Sequence, residues 1–173
     1  MRGQQVYPGH PDAYAHFAQF EDAFRTESDR GVAVLSMCVI EELLNERISN
    51  IVGTHSPEMV KVLAPPGRWS VLADAATMLG LLSPAERDDL KVLIKIRNWF
   101  AHKAMESLAF DHADVIDHLS RLKIYERFQV NGPAPINPRE RFLNGVAAIY
   151  LIICMRDGVP PFEQQSDLHM SAT

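Results

Sequence analysis

The sequence predicts an all-α, single-domain helix bundle of about six or seven helices. Apolar residues recur at three- and four-residue spacing along most of the chain, which is the period that places side chains on one face of a helix. Runs of alternating apolar and polar residues between hairpin turns do not occur, so a sheet has no support. We expect a leader over residues 1–12, the helical bundle over 13–158 and a flexible tail over 159–173.

The start of the chain and the breaks within it predict where the first helices lie. An aromatic stripe of Tyr14, Phe17, Phe20 and Phe24 predicts the first helix. Residues 26–29 then offer capping oxygens for a long helix that ends at Gly53. A short helical segment of one or two turns follows between Pro57 and the break at 65–67. The residues expected on the inner face of the long helix are Val32, Leu35, Val39, Leu43 or Leu44, Ile48 and Ile51.

The second half of the chain contains stronger start signals. A stripe that begins at Trp69 ends at Gly80, and residues 83–86 combine a capping box with a proline in the first helical turn. Asp111 with Asp114 predicts a short helix, and residues 137–140 repeat the capping pattern for a final helix that ends before Gly158. The residues expected on the inner side of the helix that starts at 84 are Leu90, Leu93, Ile94, Arg97 and Ala101.

Composition and charge narrow the possible functions. The 173-residue chain is 47% hydrophobic, which is typical of a globular domain, and both Cys38 and Cys154 lie in apolar stretches where we expect reduced core thiols. Neither a signal peptide nor an apolar stretch of the roughly 20 residues that a bilayer requires is present, so we expect a cytoplasmic protein without membrane contact. The histidines lack the paired spacing of a zinc site, and phosphate-binding loops are missing, so we predict no metal and no cofactor.

The charge pattern also argues against direct binding of duplex DNA. The net charge is −5, whereas affinity for phosphates depends on clustered lysine and arginine. The best candidate for a helix-turn-helix is the pair of helices on either side of Gly80. Its second helix begins with the carboxylates of Glu86, Asp88 and Asp89, at the place where DNA phosphates would lie. We therefore expect no helix-turn-helix that reads DNA.

One polar cluster in the helix that starts at 84 could carry function. Arg97 is in line with the inner apolar residues, while Asn98 and His102 form an i,i+4 pair on an adjoining face. A buried guanidinium requires acceptors, so the favoured interpretation is that Arg97 ties this helix to the long helix through a carboxylate, with His102 at a helix terminus. The carboxylates that could serve are those of Glu27, Asp29, Glu41 and Glu42.

The same residues also suit the cleavage of RNA. The imidazole of His102 could take a proton from a ribose 2′-hydroxyl, and Arg97 could stabilise the charge that builds on the phosphate. Such a mechanism needs no metal.

Four segments occur in the order that resembles the mannitol operon repressor family. They are FRTESDRG (Phe24 to Gly31, which includes Arg30), EELL (Glu41 to Leu44), IKIRNWFAH (Ile94 to His102) and PRERF (Pro138 to Phe142), and the likeness covers roughly Phe17 to Met155. The resemblance implies an all-helical negative regulator of genes for mannitol uptake and metabolism. It also implies action through protein partners rather than through a recognised DNA-binding motif.

The segment RNWFAH is also similar to the Arg-x4-6-His signature of the HEPN superfamily, which includes metal-independent ribonucleases of toxin and defence systems. That similarity implies an active site of Arg97, Asn98 and His102 that is completed across a dimer, with RNA as the partner. A homodimer is expected on other grounds too, because residues 145–155 carry almost no polar side chain and must be covered on every side. Of the two functions we favour the regulator, since its match is longer.

Overall fold

A computed structural model describes Gln19 and residues 22–53, 56–103, 108–124 and 137–156. Over these ranges the regular structure is helical, which confirms the all-α prediction, and none of the helices is long and apolar enough to cross a membrane. The helices with described bounds are α1 (Asp29–Val52), α2 (Pro57–Leu63), α3 (Trp69–Met78), α4 (Pro84–His102), α5 (Ala113–Ser120) and α6 (Pro138–Met155). Residues 22–24 are also helical, whereas Tyr14, Phe17, Phe20, the leader and the tail lie outside the described residues.

The predicted cap of α1 is present, but its inner face is rotated from the predicted one. Ser28 Oγ accepts a hydrogen bond of 3.0 Å from the Gly31 amide. Leu35, which we predicted to face inward, is 46% exposed, so that prediction is wrong. The face of α1 toward its neighbours is centred on Ile40, and Leu35 lies about 140° around the helix from that residue. The fully buried apolar residues of α1 are Val32, Ala33, Met37, Ile40, Leu44 and Ile48.

The turns and caps between the later helices confirm most of the local predictions. Gly67 and Gly80 adopt left-handed φ angles of 70° and 74°, which an L-residue with a side chain rarely accepts. Ser83 and Glu86 form the predicted capping box at the start of α4. The cap of α5 differs from the prediction, because the acceptor for the Asp114 amide is His112 Nδ1 at 3.2 Å rather than the carboxylate of Asp111.

Contacts between helix ends fix the directions of the three longest helices. Arg30 at the start of α1 reaches Lys103 just after α4, and Arg139 at the start of α6 reaches Asp29. Hence α1 runs antiparallel to α4 and parallel to α6. We call the end of the bundle where α1 and α6 start and α4 finishes the Asp29 end.

The opposite end is fastened by a buried ion pair. Arg156, the residue after α6, binds Glu86 in the first turn of α4, and both side chains are almost fully buried. Asp89, one turn further along α4, is also buried and accepts a hydrogen bond of 2.8 Å from the Lys123 amide. We argued from the sequence that all three carboxylates at the start of this helix would repel DNA phosphates, which requires that they are exposed. Only Asp88 of the three is exposed, so that part of the argument is wrong for Glu86 and Asp89.

Neither cysteine forms a disulfide, and both are less buried than predicted. Cys38 and Cys154 are both half-buried, so they lie at the edge of the core rather than within it. The interior itself is apolar, with Phe110 in the loop before α5 stacked between Phe100 of α4 and Phe142 of α6 at centroid distances of 4.8 and 5.1 Å. These rings support the Asp29 end from inside.

Candidate functional site

The three residues of the Arg-x4-His segment lie in the last two turns of α4. Arg97 is half-buried, and its Nη1 donates a hydrogen bond of 3.1 Å to Asn98 Oδ1. The guanidinium carbon lies 5.9 Å from the ring centroid of Trp69 at the start of α3. His102 is exposed in the last turn, and it makes no hydrogen bond or ion pair with a described residue. The structure therefore joins Arg97 to Asn98 and leaves His102 one turn further along the helix.

The predicted ion pair between Arg97 and a carboxylate of α1 is wrong. Asp29 is held instead by Arg139, whose Nη1 lies 2.6 Å from Asp29 Oδ1, while Oδ2 accepts the Phe110 amide at 3.0 Å. Glu41 accepts the Gly67 amide at 3.3 Å. Arg97 instead contacts the ring of Trp69 at the start of α3.

The remaining predicted acidic residues do not supply a partner for Arg97 either. The backbone oxygen of Glu27 accepts a hydrogen bond of 2.6 Å from Arg139 Nη2, and the Glu27 side chain is half-buried. Glu42 is exposed on α1. The polar residues that we predicted as one cluster are therefore not brought together. Asp29 binds Arg139, Glu41 binds the Gly67 amide, and Arg97 binds Asn98.

Arg30 takes the role at the helix terminus that we had assigned to His102. Arg30 Nη2 donates a hydrogen bond of 2.7 Å to the carbonyl oxygen of Lys103, which is the C-cap residue of α4. Carbonyl groups at the end of a helix have no partner within the helix, so this bond supplies one of the missing donors. His102 is in the last turn as predicted, but the hydrogen bond comes from Arg30.

Two side chains that the sequence did not indicate, one cationic and one an imidazole, contact the ring of Trp99. Lys103 Nζ lies 4.9 Å from the centroid of the Trp99 ring, and the imidazole of His112 lies 4.7 Å from it. The i,i+4 spacing of Trp99 and Lys103 was a readable signal. His112 comes from the loop before α5, and no local pattern could have placed it there. Arg30 and His102 also lie at the Asp29 end, where the carboxylates of Asp29 and Asp114 lie beside Arg139 and His112.

Several buried donors beside this end have no acceptor. They are Arg97 Nε and the indole nitrogens of Trp69 and Trp99. Trp69 is only 5% exposed. The described residues contain similar buried atoms elsewhere, among them Arg47 Nε and Arg141 Nε, so these donors do not by themselves mark a site.

Among the described residues, no group of three His, Cys, Asp or Glu side chains could hold a metal ion together.

The chain matches no known family, no curated protein and no solved structure. The likeness to mannitol operon repressors and to HEPN proteins therefore rests on the sequence segments alone, and it stays a prediction.

Proposed function

We propose that the chain is a transcriptional regulator of the mannitol operon repressor type that acts through protein partners and does not read duplex DNA itself. The observation that carries the proposal is that the first two turns of α4 bury Glu86 and Asp89, which are 1% and 2% exposed, and expose the carboxylate of Asp88. A recognition helix presents the residues of its first turns to base edges in the major groove. In this bundle Glu86 and Asp89 face Arg156 and the Lys123 backbone, and the exposed side of these turns carries the carboxylate of Asp88, which would repel DNA phosphates.

Exposed apolar side chains support contact with other proteins. Large apolar residues are the usual anchors of protein interfaces, although single exposed ones occur on any surface. Within the described ranges they lie on four helices and are Leu35, Met59, Val62, Met78 and Ile116.

The outer face of α6 supports the proposed homodimer. Ala148, Leu151 and Met155 recur at three- and four-residue spacing, and each is only half-buried. A second copy that covers this face would complete the burial of a helix that is apolar nearly all round. Light scattering should give a dimer mass for the parent and for Asp88→Lys, whose position is exposed, and a monomer for Leu151→Glu. A monomeric parent at tens of micromolar protein would contradict the dimer.

Repression is tested with a reporter gene fused to a mannitol-uptake promoter in a host that produces the chain. The parent chain should reduce the rate of transcription initiation, measured as reporter activity. The folded His102→Ala variant should reduce it equally, because regulation by protein contact uses no catalytic histidine. Unchanged reporter activity with the parent would contradict the proposal.

RNA cleavage is the second candidate, and the hydrogen bond between Arg97 and Asn98 favours it. In this mechanism His102 removes the 2′-hydroxyl proton, the 2′-oxygen attacks phosphorus, and the 5′-oxygen leaves with a proton from water. Asn98 would orient the guanidinium of Arg97 toward the charged phosphate. Cleavage of single-stranded RNA in the presence of a chelator, lost in a folded His102→Ala variant, would establish it. An inactive parent would exclude it.

A further inference from the structure

The imidazole of His112 caps α5 and stacks on Trp99 at the same time. His112 is the N-cap residue of α5, and its Nδ1 accepts a hydrogen bond of 3.2 Å from the Asp114 amide. The imidazole ring lies 4.7 Å from the centroid of Trp99 in α4, at an interplanar angle of 48°. One side chain therefore supplies an acceptor to the start of α5 and joins that start to the end of α4.

The hydrogen bond at Nδ1 fixes the protonation state of the ring. An imidazole nitrogen that accepts an N–H bond carries no proton, so the capping form is the neutral ring with its proton on Nε2. Histidine is the side chain that ordinarily changes its charge between about pH 5 and about pH 8. A proton taken up from water at Nδ1 turns this atom into a donor, and the Asp114 amide then loses its acceptor. The cap of α5 is therefore incompatible with the imidazolium form.

The carboxylate of the same aspartate offers the imidazolium another partner. Asp114 Oδ2 lies 3.7 Å from His112 Nδ1, so a small movement allows a protonated Nδ1 to donate to this oxygen. The face of the Trp99 ring also attracts a cation at the observed separation. The positive end of the α5 dipole opposes it, as does Lys103, whose Nζ lies 4.9 Å from the same indole ring. Protonation thus exchanges one hydrogen bond for one ion pair.

Other charged residues surround the loop before α5. They are Asp29 and Arg30 of α1, Lys103 after α4, Asp111 beside His112, and Arg139 of α6. Asp29 and Arg139 pair with each other, and Arg30 binds the carbonyl oxygen of Lys103. Within the described part of the chain, Asp114 is the one carboxylate that lies within ion-pair distance of His112.

We propose that His112 is a pH-sensitive helix cap that exchanges one group of Asp114 for another. The neutral ring accepts the Asp114 amide and fixes the first turn of α5, whereas the protonated ring releases the amide and binds the Asp114 carboxylate. Phe110 stays in place in both forms, because its amide is bound by Asp29 and its ring is stacked in the core. The switch therefore loosens the start of α5 without opening the core. The proposal goes beyond the regulatory function and does not depend on it, since it requires no partner.

Nitrogen-15 NMR of the unmodified chain observes both states of the cap. At about pH 8 the ring resonances of His112 should show a proton on Nε2 and none on Nδ1. Between about pH 8 and about pH 5 the Asp114 amide resonance should shift with the same midpoint as the His112 ring, because this amide loses its acceptor. The range ends above the pH at which aspartate carboxylates ordinarily titrate. A proton on Nδ1 at high pH, or an Asp114 amide that does not follow the His112 ring, would overturn the proposal.

Two matched variants assign the response to His112. Asparagine is a good N-cap acceptor and gains no proton in this range, so His112→Asn should keep α5 capped and make the Asp114 amide shift independent of pH. His102→Asn removes the exposed imidazole of α4 and should leave the titration of the Asp114 amide unchanged. A pH-dependent shift that persists in His112→Asn, or one that disappears in His102→Asn, would contradict the assignment.

The fluorescence of Trp99 gives an independent measurement. The chain has two tryptophans, so Trp69→Phe leaves Trp99 as the sole indole fluorophore. A protonated imidazole beside an indole quenches its emission more strongly than a neutral one. We therefore expect the emission of Trp69→Phe to fall between about pH 8 and about pH 5, and to remain constant when His112→Asn is added. An emission that does not fall, or that falls equally with His112→Asn, would also overturn the proposal.

Discussion

Arg156 and Glu86 form a buried, bidentate ion pair between the end of α6 and the start of α4. Arg156 Nη1 lies 2.6 Å from Glu86 Oε2, and Nη2 lies 3.1 Å from Oε1. The same Oε2 accepts the Ser83 amide at 2.7 Å, so the ion pair is continuous with the capping box of α4. The contact therefore links two helices that are separated by most of the second half of the chain.

Removal of Arg156 should destabilise the protein strongly. Arg156→Met leaves the Glu86 carboxylate buried without its counterion, and we expect the free energy of unfolding to fall by about 3–5 kcal/mol. Urea denaturation measures the change. Arg121→Met is the matched control, because the ion pair of Arg121 with Asp117 is more than half exposed and should contribute less than about 1 kcal/mol.

A double variant separates the ion pair from simple packing. Arg156→Met combined with Glu86→Gln has no uncompensated charge, so it should be more stable than Arg156→Met alone. If the double variant is less stable than the single variant, the destabilisation does not come from a stranded carboxylate.

Local signals in the sequence predicted the helix boundaries well, whereas the partners of charged residues were not predictable. Ser28, Ser83 and Asn137 cap the helices that follow them, because a cap involves only the next few residues. The choice among Glu27, Asp29, Glu41 and Glu42 as a partner for Arg97 depended on which helix ends meet in space. In the structure Asp29 forms its ion pair with Arg139, which is 110 residues away in the chain.

The same limit applies to the candidate site. The sequence placed Arg97, Asn98 and His102 on one helix, because i,i+4 spacing is a local property. It could not show that Trp69 covers Arg97 or that His112 stacks on Trp99, since both contacts join separate elements. The rotation of α1 that exposes Leu35 likewise depends on how α1 packs against α4 and α6, which are separate elements.

Because Arg97 forms no ion pair with a described residue, Arg97→Ala should change the free energy of unfolding only slightly. The substitution strands no carboxylate among the described residues and removes one hydrogen bond to Asn98 and one contact with the Trp69 ring. We expect the free energy of unfolding to change by no more than about 1 kcal/mol, since a cation–π contact of this kind contributes about 0.5–1 kcal/mol. Thermal or urea denaturation tests this, with His102→Ala as an exposed comparison on the same helix. A loss of several kcal/mol in Arg97→Ala alone would mean that Arg97 holds a buried counterion after all.

Ionisation of the Tyr150 phenol should lower the free energy of unfolding at alkaline pH. Burial, and secondarily the neighbouring Cys154, raises the pKa of Tyr150 above its ordinary value near 10. The native state therefore holds the phenolic proton more tightly than the unfolded chain does. The corresponding stability is fully present below the unfolded pKa and is lost as the pH rises through the higher native pKa.

A comparison with Tyr150→Phe tests this pH dependence. The variant has no proton to lose at this position, so its free energy of unfolding should decline less than that of the parent between about pH 8 and about pH 11. Equal declines in the two proteins would show that the environment of Tyr150 does not favour the protonated phenol.

Binding of the purified chain to duplex DNA is the most direct test of regulation through protein partners. The chain is offered a pool of random duplex sequences at about 150 mM salt, where weak electrostatic binding is suppressed. Because the start of α4 buries Glu86 and Asp89, exposes the carboxylate of Asp88, and the net charge is −5, we predict that no sequence is enriched and that the pool binds no more tightly than about 10⁻⁶ M. Enrichment of a defined sequence that the chain alone binds with a dissociation constant well below about 1 µM, the range of specific DNA-binding proteins, would contradict it.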